Sequence, residues 1–136
     1  MFCWLPLLFL SGAPTNTAQA GEITINSLPP VVVKTVPGNG DRNVDPSISE
    51  IRVTFNKDMM TREMWSWVIH TPEVFPKIVG EVKYLSDKRT NVAPVKLQPN
   101  KVYAIWFNSP NYRHNAFRDP NNNPAVPYLL VFRTGG

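Results

Sequence analysis

The fold is decided by Pro29-Pro30-Val31-Val32-Val33-Lys34-Thr35-Val36-Pro37-Gly38-Asn39-Gly40 and by the run Ile51-Arg52-Val53-Thr54-Phe55-Asn56 that follows it. The first stretch is a β-branched run that ends at Pro37 and Gly38, since proline and glycine are the strongest local breakers of regular structure. In the second stretch, apolar side chains alternate with polar ones, which predicts a strand with one buried and one solvated face. Two strands joined by a turn of this composition indicate an antiparallel all-β domain.

The rest of the chain continues the same pattern and predicts seven short strands. Fourteen prolines interrupt almost every segment and leave no room for a long helix, so only residues 61–64 are candidates for a helical turn. The sixth strand is apolar on both faces and is therefore expected to be central. Seven strands separated by turn signals are typical of an Ig-like Greek-key β-sandwich, which is the fold class we expect. The predicted strands span residues 31–36, 50–56, 64–70, 77–85, 91–97, 102–108 and 127–133.

A second signal comes from the spacing of Leu97, Pro99 and Tyr103. This spacing matches the tyrosine corner of Greek-key sandwiches, in which the phenol hydroxyl forms a hydrogen bond with the backbone a few residues upstream. The sequence therefore predicts a structural role for Tyr103 rather than a catalytic one.

These segments together resemble the bacterial Ig-like domains of surface-layer proteins, the SbsA type. The resemblance rests on the opening stretch with Val44 and Met59, the tyrosine corner, a loop beginning at Asp119 and the closing Phe132-Arg133-Thr134. Asn122 replaces the glycine that the family usually has in this loop, and asparagine tolerates the left-handed conformation that such a turn needs. The resemblance implies a surface or secreted module used for spacing, adhesion or ligand display. It implies no particular ligand, because one sandwich scaffold carries many functions.

The first twenty residues contain no charged side chain, and their apolar run leads to Ala18-Gln19-Ala20. This pattern predicts a signal peptide, and its apolar core is too short to span a bilayer. We therefore divide the chain into a signal peptide at residues 1–20, a flexible lead at 21–28 and an Ig-like domain at 29–136. The expected localisation is outside the cytoplasm, either periplasmic or extracellular.

Composition excludes several functions. The single cysteine, Cys3, lies in the predicted leader, so the mature chain has no disulfide, no thiol nucleophile and no thiolate metal site. The net charge of +4 is spread along the chain, which favours solvated strand faces over a nucleic-acid stripe and leaves a mild attraction to anionic surface polymer as an alternative. The motifs G-x-S-x-G and H-E-x-x-H are missing. We therefore expect no enzyme, no cofactor, no nucleic acid and no membrane span.

The best candidate for a binding surface is the loop 111–118 between the last two predicted strands. Loops at the ends of sandwiches present binding residues, and aromatic side chains beside arginine are enriched at binding hot spots. One of the two tryptophans of the third strand is expected in the core, and the other either packs inward as well or extends an aromatic surface. The expected partner is a cell-surface polymer or a protein. The tentative binding residues are Tyr112, Arg113, Phe117, Arg118, Trp65 and Trp67.

An alternative function is a periplasmic copper-binding protein of the copper-resistance C type, whose early pattern of proline, glycine and methionine is similar. Imidazole and thioether groups suit copper. The opposing interpretation is that Met59 closes the core and the other methionines fill gaps beside it. The candidate copper ligands are His70, His114, Met59, Met60 and Met64.

A calcium loop is a further possibility at Asp119, Asn121 and Asn123, whose side-chain oxygens alternate along the chain. A calcium loop of the EF-hand type needs glycine at its sixth position and glutamate at its twelfth, where this chain has Pro124 and Leu130. We therefore predict that turns stabilised by Asp and Asn side chains explain this loop.

Overall fold

Two antiparallel sheets pack face to face in the computed structural model, which describes residues 22–136 and confirms the predicted Ig-like sandwich. The predicted signal peptide, with Cys3, lies outside the described residues. A single 3-10 turn at Pro72–Val74 is the only helical element among residues 22–136, where no helix is long and apolar enough to cross a bilayer. The strands are β1 (Val32–Val36), β2 (Glu50–Phe55), β3 (Trp67–Ile69), β4 (Lys77–Ile78), β5 (Lys83–Tyr84), β6 (Thr90–Lys96), β7 (Val102–Phe107) and β8 (Tyr128–Arg133).

The larger sheet has the order β1-β2-β6, and β4 and β5 lie one after the other along the far side of β6. The smaller sheet has the order β3-β7-β8. The central position of β7 confirms the prediction made from its two apolar faces. The core between the sheets is rich in aromatic rings, and stability rests on this burial because the domain has no cysteine. Its largest fully buried side chains are Tyr103, Phe55, Phe107, Phe117, Phe132, Ile51, Ile105 and Leu130.

The fourth predicted strand, 77–85, is divided into β4 and β5. The break lies opposite Pro94 of β6, which has no N–H with which to continue the ladder. Val79 N donates to Pro94 O at 2.9 Å, and the chain then passes the proline ring at Gly80. A Cβ atom at Gly80 would lie 2.9 Å from Pro94 Cγ, so any other residue would clash there. A proline inside β6 thus explains why one predicted strand becomes two.

The third predicted strand, 64–70, is shorter than expected, and residues 61–64 do not form the predicted helical turn. β7 ends at Phe107, and its last contact with this segment is the hydrogen bond from Asn108 N to Ser66 O. Residues before Ser66 therefore have no strand to pair with. Glu63 adopts a φ of 53°, which is outside the right-handed helical region.

The tyrosine corner is confirmed. Gln98 N donates to the Tyr103 hydroxyl oxygen at 2.8 Å, and the Tyr103 ring is 2% exposed. The end of the chain fixes the same corner, since the Thr134 hydroxyl donates to Gln98 O at 2.6 Å and accepts from Lys101 N at 2.9 Å. β8 is thereby attached to the turn that leads into β7.

Residues 22–28, expected as a flexible lead, make hydrogen bonds with side chains at the end of the sandwich away from the tyrosine corner. The Lys57 ammonium group, which is 8% exposed, donates to Leu28 O at 2.7 Å and also to Ile25 O. Asn123 Nδ2 donates to Asn26 O at 2.9 Å. Side chains of the domain thus hold three backbone carbonyl groups of this segment.

We predict that Tyr103→Phe lowers the free energy of unfolding by about 1 to 2 kcal/mol, because Gln98 N loses its acceptor. Leu97→Ala should lower it by about 2 to 5 kcal/mol through the cavity that it leaves. Urea denaturation of the wild type and of each variant measures both effects. Tyr112→Phe is the control, since Tyr112 is 62% exposed and the substitution should change nothing. An unchanged midpoint for both core variants would contradict the assignment of the corner.

Candidate functional site

The loop between β7 and β8 is anchored at both of its ends. The Asn108 side chain is buried and donates to Phe117 O and Ala125 O, both at 3.0 Å, while its Oδ1 accepts from Phe117 N at 3.0 Å. Ser66 Oγ, just before β3, accepts from Ala116 N at 2.8 Å. The loop 109–116 therefore projects from a fixed base at the end of the sandwich.

Internal hydrogen bonds also hold the projecting part. Ser109 N donates to His114 O at 2.7 Å, and His114 N donates to Ser109 Oγ at 3.0 Å, which closes a ring of residues. Asn111 Oδ1 accepts from Ser109 Oγ at 2.6 Å and from Arg113 N at 3.0 Å. Tyr112 lies at the tip with a φ of 60°, and its side chain is 62% exposed. The loop thus presents Tyr112 and Arg113 on a constrained backbone.

An open groove of about 810 Å³ runs along β3 beside this loop. Val68 and Trp106 are opposite each other on neighbouring strands and contribute the wall on the outer face of the smaller sheet. Trp65 and Trp67 contribute the inner wall, toward β4 and β5. We call this feature the tryptophan groove, and its lining residues are Trp65, Ser66, Trp67, Val68, Ile69, Ile78, Val82, Trp106, Ser109, Pro110, Asn111, Arg113 and His114.

Trp67 is the core tryptophan that the sandwich fold predicts for this strand. Its ring meets Phe107 edge-on, with centroids 4.8 Å apart, and its Nε1 donates to Asn91 Oδ1 at 2.7 Å. Asn91 is fully buried, and its Nδ2 has no hydrogen-bond partner among the described residues. Trp67 therefore exposes only part of its ring to the groove and serves mainly the core.

Trp65 is half-buried and packs on Tyr84 of β5, with ring centroids 6.3 Å apart. Burial raises the pKa of the Tyr84 hydroxyl above its ordinary value. Trp65 thus joins the segment before β3 to the opposite sheet and also presents part of its ring to the groove.

One of the predicted binding residues is corrected by the structure, and a second has a structural role. Phe117 is fully buried between Phe55 and Phe107, at centroid distances of 5.1 and 6.0 Å, so it cannot contact a surface ligand. The Arg118 guanidinium group donates to Asn115 O, Asn115 Oδ1 and Asn122 Oδ1 at 2.8 to 2.9 Å. Its donors hold two neighbouring loops together. Phe117 is therefore a core residue, while Arg118 stabilises the loop and its place in a binding surface stays a prediction.

Sequence reasoning left Trp106 out of the predicted site and named His114 individually only as a copper ligand, although it lies in the predicted binding loop 111–118. Trp106 lies on the outer face of β7, and its Nε1 donates to His70 Nδ1 at 3.3 Å. The signal was present in the alternation of β7, which places Trp106 on the face opposite Tyr103 and Phe107. This alternation alone could not place Trp106 in the site, because the position of the loop 109–116 beside that face is set by long-range contacts.

The predicted copper ligands are only partly available. Met59 is 3% exposed and belongs to the core, as the opposing interpretation predicted, so it is not a surface ligand. His70 Nδ1 accepts the hydrogen bond from Trp106. Residues 22–136 contain no group of three or more His, Cys, Asp or Glu side chains able to hold a metal ion.

Comparison with known proteins shows the family to which this chain belongs. The bacterial Ig-like domain family matches residues 26–134, which is most of the chain. The chain belongs to this family. The SbsA-type resemblance in the sequence is thereby confirmed, and the match begins inside the segment 22–28.

Two solved structures are similar to this Ig-like domain. The crystal structure of the S-layer protein rSbsC(31-844) covers 79% of this chain with 16% identity and a TM-score of 0.48. The structure of surface layer protein SbsC, domains 1-6, covers 80% with 16% identity and a TM-score of 0.49. The Ig-like domain described here spans 14% of the length of each. No curated protein matches the chain.

The loop 119–123 of this Ig-like domain is explained by its turns, as predicted. Asp119 Oδ1 accepts from Asn121 N and Asn123 N at 2.9 Å, and its Oδ2 accepts from Asn123 Nδ2 at 2.9 Å. Lys57 Nζ forms an ion pair with the same Oδ2 at 2.6 Å. Asn122 has a φ of 69°, the left-handed conformation that was expected where the family has glycine. Both carboxylate oxygens of Asp119 thus hold the loop.

Opposing effects set the charge of Asp119. Burial by itself would raise the pKa of its carboxyl, but the hydrogen bonds from Lys57 and Asn123 and the charge of Lys57 outweigh it and lower the pKa below its ordinary value of 3.8. A carboxyl whose pKa is lower in the folded state stabilises the fold above its unfolded pKa. This stabilisation is lost as the pH falls through the folded pKa.

We predict that Asp119→Asn lowers the free energy of unfolding by about 3 kcal/mol at pH 7, because Lys57 is left buried without a counter-charge. The difference from the wild type should persist down to about pH 4 and shrink below it, as the wild type itself becomes protonated. Urea denaturation between pH 7 and about pH 2.5 measures this. Asp58→Asn is the matched control, because Asp58 pairs with Arg89 at the surface and should cost less than about 1 kcal/mol. A difference that stays constant through the acid range would contradict the role of the charge.

Proposed function

We propose that this Ig-like domain is a non-catalytic cell-surface module that binds a surface polymer through the outer half of the tryptophan groove. The outer half consists of Val68, Trp106, Arg113 and His114, and the exposed Tyr112 precedes Arg113 on the same loop. Localisation at the cell surface is supported by the signal peptide predicted in residues 1–20 and by the bacterial Ig-like family. A protein partner on the same surface is the alternative occupant.

The observation that carries the proposal is the position of Trp106 beside Arg113 and His114 in one open groove. A broad apolar ring with cationic and hydrogen-bonding groups at its margin is the combination that recurs at binding hot spots. Arginine also presents a planar set of donors that fits carboxylate or phosphate groups. An anionic polymer chain with apolar ring faces or methylene groups matches this chemistry, and the net charge of +4 favours its approach.

The rigidity of the loop supports the same conclusion. Six hydrogen bonds within or beneath the loop fix the positions of Tyr112 and Arg113 in the absence of a ligand. They run from Ser109 N to His114 O, from His114 N to Ser109 Oγ, from Ser109 Oγ to Asn111 Oδ1, from Arg113 N to Asn111 Oδ1, from Tyr112 N to Ser109 O and from Ala116 N to Ser66 Oγ. A preorganised loop loses less conformational entropy on binding, so more of the contact energy contributes to affinity. The same hydrogen bonds allow surface side chains to be replaced without disturbing the fold.

We predict that the double variant Tyr112→Asn, Arg113→Ala loses retention on purified bacterial cell envelopes. Asparagine is chosen because Tyr112 has a positive φ, which asparagine tolerates. Co-sedimentation of the variant with envelopes should fall to the level of a protein that does not bind. Its free energy of unfolding should stay within about 0.5 kcal/mol of the wild type, since both side chains are at the surface.

Arg42→Ala is the matched control, because Arg42 is an exposed arginine beside β8, away from the groove. This variant should sediment with envelopes as the wild type does. Envelopes treated with protease distinguish the two occupants, since a polymer survives the treatment and a protein does not. Undiminished retention of the double variant would refute the proposed surface.

A further inference from the structure

The open edges of the two sheets are protected to different degrees. The edge of β8 is covered by the Asn39 side chain, whose Nδ2 donates to Leu129 O at 3.0 Å and whose Oδ1 accepts from Val131 N at 2.9 Å. The neighbouring Gly40 N adds a hydrogen bond to Val131 O at 2.7 Å. An asparagine amide thus pairs with β8 as a peptide group of another strand would. This edge cannot accept a further strand.

The two outer edges of the larger sheet are protected against pairing with a further strand in other ways. β1 is interrupted by a bulge between Val32 and Lys34, and Lys34 is exposed on it. On the other side, β4 and β5 are two residues each, are separated by a break and carry the exposed Lys77 and Lys83. Bulges, short strands and lysines are the devices by which soluble proteins prevent pairing of sheet edges.

Of these protective features, the edge of β3 has only the short strand length. The hydrogen bond from Asn108 N to Ser66 O fixes the alternation of the β3–β7 ladder, in which Trp67 lies opposite Phe107 and Val68 opposite Trp106. In an antiparallel ladder this alternation turns the N–H and C=O groups of Val68 toward β7 and those of Trp67 and Ile69 away from it. Within residues 22–136 no hydrogen bond from another segment or a side chain satisfies these outward backbone groups.

The same edge is uncharged and apolar. The segment Ser66-Trp67-Val68-Ile69-His70 contains no Lys, Arg, Asp or Glu, whereas every other edge strand in the described part of the chain carries a cation. Ile69 is 52% exposed. It is a large aliphatic side chain beside a row of unpaired backbone groups, which is a combination that favours association.

We infer that two copies of this protein associate through antiparallel pairing of their β3 strands. We assign a second copy to this edge because pairing about a two-fold axis brings each residue close to the same residue of the other copy. Like charges would therefore face each other at an edge that carries Lys34, Lys77, Lys83 or Arg133, and at β3 they do not. With the axis at Val68, Trp67 of each copy lies opposite Ile69 of the other. The strands β8-β7-β3 of the two copies then form one six-stranded sheet.

This association goes beyond the proposed function and shares only Val68 with the outer half of the groove. The backbone groups of Trp67 and Ile69 lie at the edge of the sheet, while Tyr112 and Arg113 lie on the loop beyond the end of β3. A dimer carries two such loops, so it would bind a repetitive surface polymer with higher avidity than one copy. The contact is small, and the dimer is therefore expected to be weak and dependent on concentration.

Sedimentation velocity of the protein exported by an expressing bacterium tests this, across concentrations from about 1 to about 500 µM. The wild type should change from monomer to dimer within this range. Ile69→Pro removes an outward N–H and places a ring at the edge, but keeps the β3–β7 ladder intact, because that N–H does not point to β7. It should stay monomeric throughout with a folded circular dichroism spectrum. The matched control, Ile69→Thr, retains the N–H and should still dimerise.

A charge exchange at the axis keeps the test independent of folding defects. Val68→Lys alone and Val68→Glu alone should each be monomeric, because like charges would lie directly opposite each other. An equimolar mixture of the two should form a heterodimer. A wild type that remains monomeric, a dimer that survives Ile69→Pro, or a mixture that does not associate would each overturn the inference. The variant Tyr112→Asn, Arg113→Ala should dimerise normally, so a failure of the proposed function would be visible separately.

Discussion

The buried ion pair between Lys57 and Asp119 is the interaction on which one whole end of the sandwich depends. The ammonium group follows β2 and also holds the carbonyl groups of Ile25 and Leu28, while the carboxylate organises the loop that leads toward β8. The entry to the first sheet and the last long loop of the second sheet therefore meet at one pair of charges. Such a pair persists in a buried position only because the donors and acceptors around it are satisfied. The loop 109–116 lies upstream of Asp119, and its base is held separately by the Asn108 side chain and by Ser66 Oγ.

The parts of this fold that local chemistry controls could be predicted from the sequence. The turn after Val36, the alternation of β2, the corner at Tyr103 and the left-handed Asn122 each depend on residues within a few positions of one another. Their side chains carry the information directly, and the family pattern adds the order of the strands. A core role for one of the two tryptophans, Trp65 or Trp67, was also foreseeable, since this strand of a sandwich supplies the tryptophan that fills the centre. The structure shows that it is Trp67.

The errors concern residues whose roles are set by distant partners. Pro94 divides the neighbouring strand only because Gly80, fourteen residues earlier, passes its ring. In the sequence Phe117 has the position of an exposed loop residue, yet its ring packs between Phe55 and Phe107 in the core. The hydrogen-bond acceptors of Arg118 lie on two different loops. Phe117 was therefore assigned to the surface although it lies in the core, while the loop 111–118 as a binding surface stays a prediction. Trp106 belongs to the candidate site through the position of that loop beside β7, which no local pattern encodes.

The positions of the two ends of the described chain have a mechanical consequence. The segment 22–28 is clamped at the end where β2 finishes, and Gly135 is bonded to Val44 and Asn100 at the opposite end. Tension between the two ends therefore acts along the strands rather than across them. The hydrogen bonds between β1 and β2 would be loaded side by side and would have to break together, instead of opening one after another.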